Sequence, residues 1–114
     1  MEDFELFKKT FRKYQEKFGL LGYAVYLKFE PITGGDFADI TVNQNDMVAT
    51  IRLNSKLDEK DEQFKHIELS AKHEAMHLLL SRFENKAINR CNVSEKEIFE
   101  IEEELVNKLC GLIP

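Results

Sequence analysis

The sequence predicts a single α+β domain over residues 1 to 114, in which one helix precedes three strands and two further helices follow. Aromatic residues recur at helical spacing near the amino terminus, and β-branched residues concentrate between positions 23 and 54. In the second half, apolar residues again recur at helical spacing. A chain of 114 residues can bury a core without a disulfide.

The first helix is predicted by aromatic residues at steps of three and four positions. They are Phe4, Phe7, Phe11, Tyr14 and Phe18. Because residues at these steps share one face of a helix, we expect this stripe to pack into the core. Gly19 follows the stripe, and a glycine there is typical of a helix carboxyl terminus.

Three strands are predicted from β-branched and aromatic content. They cover Tyr23 to Glu30, Phe37 to Asn43 and Val48 to Asn54. Pro31 ends the first strand, and the polar residues Gln44 to Asp46 favour a tight hairpin turn between the second and third. We therefore expect a mainly antiparallel, three-stranded sheet with one buried face.

The second half of the chain is predicted to form two helices. An acidic run from Asp58 to Asp61 favours a helix amino terminus, and the apolar pattern continues to about Phe83. A loop is expected from Glu84 to Val93. Ser94 and Glu97 then form a capping box at the start of the last helix.

Composition excludes several classes of partner. The 16 Lys and Arg residues against 21 Asp and Glu give a net charge of -5, which disfavours binding to nucleic acid. Cys91 and Cys110 form no CxxC pair, and the amino terminus is too acidic for a secretory leader. No apolar run approaches the roughly 20 residues of a membrane span. We expect a cytoplasmic protein with free thiols that does not bind membranes.

The stretch His73-Glu74-Ala75-Met76-His77 is an HExxH motif inside a predicted helix. Residues four apart lie roughly 40° apart around a helix and about 6 Å along it, so both imidazoles can reach one ion. Neutral imidazole nitrogens suit tetrahedral Zn²⁺. Glu74 is rotated by about 100° from His73, where it can hold an attacking water and take its proton. The alternative is a solvent-facing polar stripe with two surface histidines.

A catalytic zinc site needs a third protein ligand. The metzincin pattern would place a glycine and a histidine where this chain has Leu80 and Phe83, which excludes that class. On the last helix, Glu102 falls inside the apolar face, and Glu103 would replace it if the helix phase slipped by one residue. We therefore expect the two histidines and Glu102 to bind Zn²⁺, with Glu103 as the alternative. His66 is about 10 Å from His73 along the axis, too far for the same ion.

These features resemble a known group of enzymes. The motif, the following Leu78-Leu79-Leu80 and a Glu-rich final helix ending in Leu-Ile-Pro resemble the small zincin-fold, gluzincin-type metallopeptidases of phages and mobile elements, over roughly residues 47 to 114. There is some likeness to ImmA/IrrE-type and SprT-like domains, although the final helix lacks the ImmA pattern and the chain lacks a zinc ribbon. The resemblance implies a zincin-like fold and zinc-dependent hydrolysis of a peptide or protein substrate, with Glu74 as general base. It also implies that a sheet edge holds extended substrate, and Val48 to Asn54 would be that edge.

Two other functions stay open at this point. Zinc could serve the fold alone, with the aromatic helix docking a partner in a non-catalytic interaction module. The motif could also be coincidental in a plain interaction protein. Replacement of Glu74 by Gln separates the enzyme from the module, because only the enzyme would lose an activity.

Overall fold

The computed structural model describes residues 2–57, 66–90 and 94–112. Within these ranges the elements are α1 (Glu2–Lys17), β1 (Ala24–Glu30), β2 (Ala38–Asn43), β3 (Val48–Asn54), α2 (Ile67–Arg90) and α3 (Glu95–Leu112). The α+β class is confirmed. The acidic run predicted to begin a helix lies outside the described residues. No helix in the described ranges combines the length and the apolarity needed to cross a membrane.

The aromatic stripe of α1 forms the centre of the core, as its spacing predicts. Phe7 and Phe11 are fully buried. The stripe packs against small and branched apolar side chains of β3 and α2, namely Ala49, Ile51, Leu53, Ala71, Ala75 and Leu78. One face of α2, the helix that carries the HExxH motif, therefore packs in the core. This packing fixes the rotation of α2 and hence the direction in which the side chains on its other face point.

The sheet has the strand order β1-β3-β2, with β1 parallel and β2 antiparallel to β3. The predicted antiparallel arrangement is therefore wrong for β1, and the sheet is mixed. Because β2 and β3 form a hairpin, β1 must pair with the free edge of one of them. It pairs with β3, and the two strands run parallel. The alternate residues Ala49, Ile51 and Leu53 of β3 are the most buried of any strand.

The hairpin turn between β2 and β3 is confirmed. The Asp46 N–H donates to Asn43 Oδ1 at 3.2 Å, and Met47 takes a positive φ of 53°. Because β3 is paired on both sides, the expectation that β3 holds substrate as an added strand is wrong. The outer edge of β2 has no strand partner among the described residues, and β2 lies against α2.

The helix α2 begins at Ile67 and ends later than predicted, because it continues through Glu84 to Arg90. The loop expected from Glu84 is wrong over these residues, and residues 91–93, which include Cys91, lie outside the described ranges. The segment 84–90 contains no Gly or Pro, so nothing in it interrupts a helix. This extension places Glu84 on the same face as His77, two turns later.

The helix α3 begins at the predicted capping box and buries the predicted face. The Glu97 N–H donates to Ser94 Oγ at 3.3 Å. Ile98, Glu102 and Val106 are buried, and α3 packs against α2. Lys72 Nζ donates to the Cys110 carbonyl at 3.2 Å, which ties the end of α3 to α2. Cys110 is a half-buried free thiol.

The packing of α1 can be tested with two identical substitutions. Phe11→Ala should lower the free energy of unfolding by about 3–5 kcal/mol, because its ring is fully buried. Phe83→Ala removes the same ring where it is 54% exposed, so we expect a loss below about 1 kcal/mol. Urea denaturation followed by circular dichroism measures both. Equal losses would contradict the packing of α1 against β3 and α2.

Candidate metal centre

The two histidines of the HExxH motif face each other on α2. Their ring centroids are 4.7 Å apart, and their Nε2 atoms are 3.1 Å apart. Both rings are half-buried on the side of α2 that faces α3. The predicted pairing of His73 with His77 on one helix face is therefore present in the structure.

The helix α3 places two neighbouring glutamates on opposite nitrogens of His77. Glu102 Oε1 lies 2.9 Å from His77 Nδ1, and Glu103 Oε1 lies 3.1 Å from His77 Nε2. The ligand atoms of His73, His77 and Glu103 lie within 4.8 Å of one another. Thus Glu103, the alternative in the sequence analysis, reaches the nitrogens that converge. Glu102 reaches the far side of His77, since adjacent residues of a helix are about 100° apart.

The atoms that converge are all able to act as metal ligands. In the tautomer in which His77 Nδ1 donates to the Glu102 carboxylate, Nε2 carries a lone pair. That lone pair faces the Glu103 carboxylate, and such groups repel unless a proton or a cation lies between them. Ligand atoms about 2.1 Å from a tetrahedral zinc ion are roughly 3.4 Å apart, close to the separations in this group. The donor set fits Zn²⁺.

The electrostatics of His73 favour the neutral ring that a metal requires. Burial lowers the pKa of His73, the nearby His77 lowers it further, and Glu103 opposes this shift. A neutral imidazole keeps the Nε2 lone pair available.

Glu74 is buried beside this group and lacks a cationic partner within the described ranges. It is 5% exposed, and its Oε2 has no hydrogen-bond partner there. Burial raises the pKa of Glu74 to about 8, and the negative charges of Asp39 and Glu103 contribute to the shift. A divalent cation at the histidine pair would favour the charged carboxylate, because opposite charges stabilise each other strongly at a site shielded from water.

Two clefts meet at Glu74. The first cleft has a volume of about 390 Å³ and is lined by β2 together with His77, Glu84 and Glu102. The second cleft has a volume of about 420 Å³ and is lined by Gly35 to Ala38 together with His66 and His73, among others. Ala38 and Glu74 line both clefts. The histidine pair therefore lies between two clefts that share the edge of β2.

A polar network supports the wall of the first cleft. Gln44 Nε2 donates to Ser81 Oγ at 2.7 Å and to the Tyr23 hydroxyl at 3.0 Å. The Ser81 hydroxyl donates to the Leu78 carbonyl at 2.7 Å. These contacts join the hairpin turn to α2 one turn beyond His77, and they hold the edge of β2 close to the site.

Sequence reasoning missed Glu84, which it placed in a loop. Its carboxyl lies beside that of Glu102 in the first cleft. Burial and the adjacent Glu102 raise the pKa of Glu84 to about 7, and His77 opposes the shift. The sequence does contain a sign of this position: Glu84 follows His77 by seven residues, which is two helical turns and therefore the same face of α2. His66, which the spacing separates from the ion, is exposed in the second cleft.

Comparison with known protein families gives no match, and comparison with curated proteins gives no relative. Among solved structures, the chain is similar to the crystal structure of the metallopeptidase zymogen of Methanocaldococcus jannaschii jannalysin. The sequence identity is 20%, the alignment covers 90% of this chain and 96% of that chain, and the TM-score is 0.42. A likeness this remote assigns no function to this chain.

Cysteine replacements can identify the carboxylate that would face a bound metal. Glu103→Cys should add a thiolate-to-metal charge-transfer band when the protein is loaded with Co²⁺, because a thiolate at that position can enter the coordination shell. Glu102→Cys should not add this band, because residue 102 faces Nδ1 of His77. Absorption spectra of the two variants and of the wild type, which already carries Cys91 and Cys110, measure this. The band in Glu102→Cys alone would make Glu102 the ligand.

Proposed function

We propose that this chain is a zinc-dependent peptidase, with His73, His77 and Glu103 as metal ligands and Glu74 as the general base. The observation that carries the proposal is the convergence of three ligand atoms on α2 and α3 beside a buried carboxylate. Each part of the arrangement has a chemical counterpart in metal-assisted hydrolysis.

The ligand roles follow from the contacts around the histidines. His73 and His77 would hold Zn²⁺ through Nε2, and Glu103 through Oε1. Glu102 orients the ring of His77 by accepting a hydrogen bond from Nδ1. Zinc, when bound, would polarise the peptide carbonyl and lower the pKa of a water at the site.

Glu74 moves the proton in this proposal. Its Oε2 is buried and without a hydrogen-bond partner among the described residues, so it is available to accept the proton of the attacking water. The same carboxyl then passes the proton to the nitrogen of the leaving amine, which leaves Glu74 ionised for the next cycle. Burial keeps bulk water from competing for this oxygen.

The edge of β2 is the surface where we place the substrate backbone. An extended peptide can add to a free sheet edge through main-chain hydrogen bonds. Ala38 of β2 lines both clefts, so a peptide along this edge would pass the histidine pair and direct side chains to either side. This position replaces the one that the sequence analysis expected on β3.

The role of Glu74 gives a direct test. Glu74→Gln should lower the rate of peptide hydrolysis by at least about 100-fold, because the amide cannot accept the proton. Its zinc content should match that of the wild type, since Glu74 is not in the proposed ligand set, and the variant should stay folded because Gln has nearly the same shape as Glu. Hydrolysis of a quenched fluorescent peptide library and atomic absorption of the purified protein measure these quantities.

His73→Ala is the matched control, and it should lose both zinc and hydrolysis. Undiminished hydrolysis by Glu74→Gln would exclude Glu74 as the general base. A wild type that holds stoichiometric zinc, hydrolyses none of the library and behaves as Glu74→Gln does would instead be a non-catalytic zinc-stabilised module.

A further inference from the structure

We propose that the first cleft binds a cationic group of the substrate, either a protonated amine or a guanidinium. The proposal rests on the proposed peptidase function, because that function makes the ligand a peptide. The two sources of such a group are a Lys or Arg side chain and a free amino terminus. The cleft opens directly beside His77, so a group bound there belongs to a residue near the cleaved bond.

The ionisable side chains that line the first cleft are mostly acidic. Its described lining contains the carboxyl groups of Asp39, Glu74, Glu84 and Glu102, and no Lys or Arg. Asp39 is already paired, since Arg52 Nε donates to its Oδ1 at 2.9 Å. Glu84 and Glu102 lie side by side, and no Lys or Arg of the described lining pairs with either carboxyl. Two adjacent carboxyl groups that share one proton still carry a negative charge, so this pair, close to the proposed reacting bond, can accept a cationic group.

The carboxylate of Glu102 is only half satisfied. Its Oε1 contacts His77, while its Oε2 is buried without a hydrogen bond from any described donor, and the neighbouring carboxyl of Glu84 can donate to Glu102 only when it is protonated. The residue is 5% exposed, so little bulk water reaches it in the absence of a ligand. A buried carboxylate oxygen without a donor is unfavourable, and an N–H donor with a positive charge satisfies it best.

The remaining walls suit the stem of a long cationic side chain. Beside the polar Gln44, Ser81 and Asn85, they include the apolar side chains of Ile40, Val42, Ile88 and Phe99. Lys and Arg carry methylene chains that pack on apolar surface while the charged end reaches a carboxylate. A second divalent metal fits less well, because among the described residues the one group of three converging ligands is His73, His77 and Glu103.

The experiment uses zinc-loaded protein and three pentapeptide amides of alanine that differ in one central residue and in the amino terminus. The first is acetylated with a central lysine, and the second is acetylated with a central norleucine, which is uncharged. The third has a central norleucine and a free amino terminus. Affinities are measured by NMR titration before appreciable cleavage, at about 0.15 M salt to screen distant charges, and cleavage rates are measured by mass spectrometry.

At least one charged peptide should bind roughly tenfold more tightly than the neutral one, as a charge-assisted hydrogen bond predicts. Preference for the first peptide identifies a side-chain site, and preference for the third identifies an amino-terminal site. Glu84→Gln should remove most of the preference. Glu68→Gln makes the same change at an exposed position of α2 and should leave the preference intact, which controls for net charge.

Equal affinity for all three peptides, no detectable binding, or a preference that survives Glu84→Gln would overturn the proposal. The outcome is separable from that of the proposed function. Cleavage without any preference for charge would leave the peptidase and reject the cationic site. A charge preference that Glu84→Gln removes, with no cleavage of any peptide, would keep the site and reject the peptidase.

Discussion

The contact between the buried carboxylate of Glu102 and Nδ1 of His77 is the interaction on which the proposed site depends. It orients the ring, and in the tautomer with the hydrogen on Nδ1 it leaves Nε2 free on the side of His73 and Glu103. Without α3 packed against α2, His77 could rotate and the ligand atoms would separate. The interface between these two helices is therefore the constraint on which the proposed metal centre depends.

The stabilising core and the polar groups of the proposed site lie on opposite sides of α2. On one side of α2, the aromatic stripe of α1 and the apolar face of β3 form the core. On the other side, Glu74 and Glu102 are buried with oxygens that lack partners among the described residues. Unsatisfied buried carboxylates oppose folding, so the core must offset them, and a bound cation would relieve them. Polar burial without local compensation is the usual structural sign of a site prepared for a ligand.

Local patterns in the sequence predict much of this arrangement. The spacing of Phe7 and Phe11 predicts the buried face of α1, and the phase of α3 predicts that Glu102 is buried. The order of the strands was not predictable in this way, because the pairing of β1 with β3 joins segments far apart in the chain. The position of Glu103 next to Nε2 was equally out of reach, since the rotation of one helix against another depends on packing. Glu84 was missed for a simpler reason, namely that the end of α2 carries no clear stop signal.

The most direct test of the metal centre is a crystal structure of zinc-loaded protein with anomalous diffraction recorded on both sides of the zinc absorption edge. We expect one strong anomalous peak about 2.1 Å from Nε2 of His73, Nε2 of His77 and a carboxylate oxygen of Glu103. Glu102 should remain on Nδ1 of His77. A zinc-saturated crystal with no peak between the two histidines, or with the peak at another set of residues, would contradict the proposed centre.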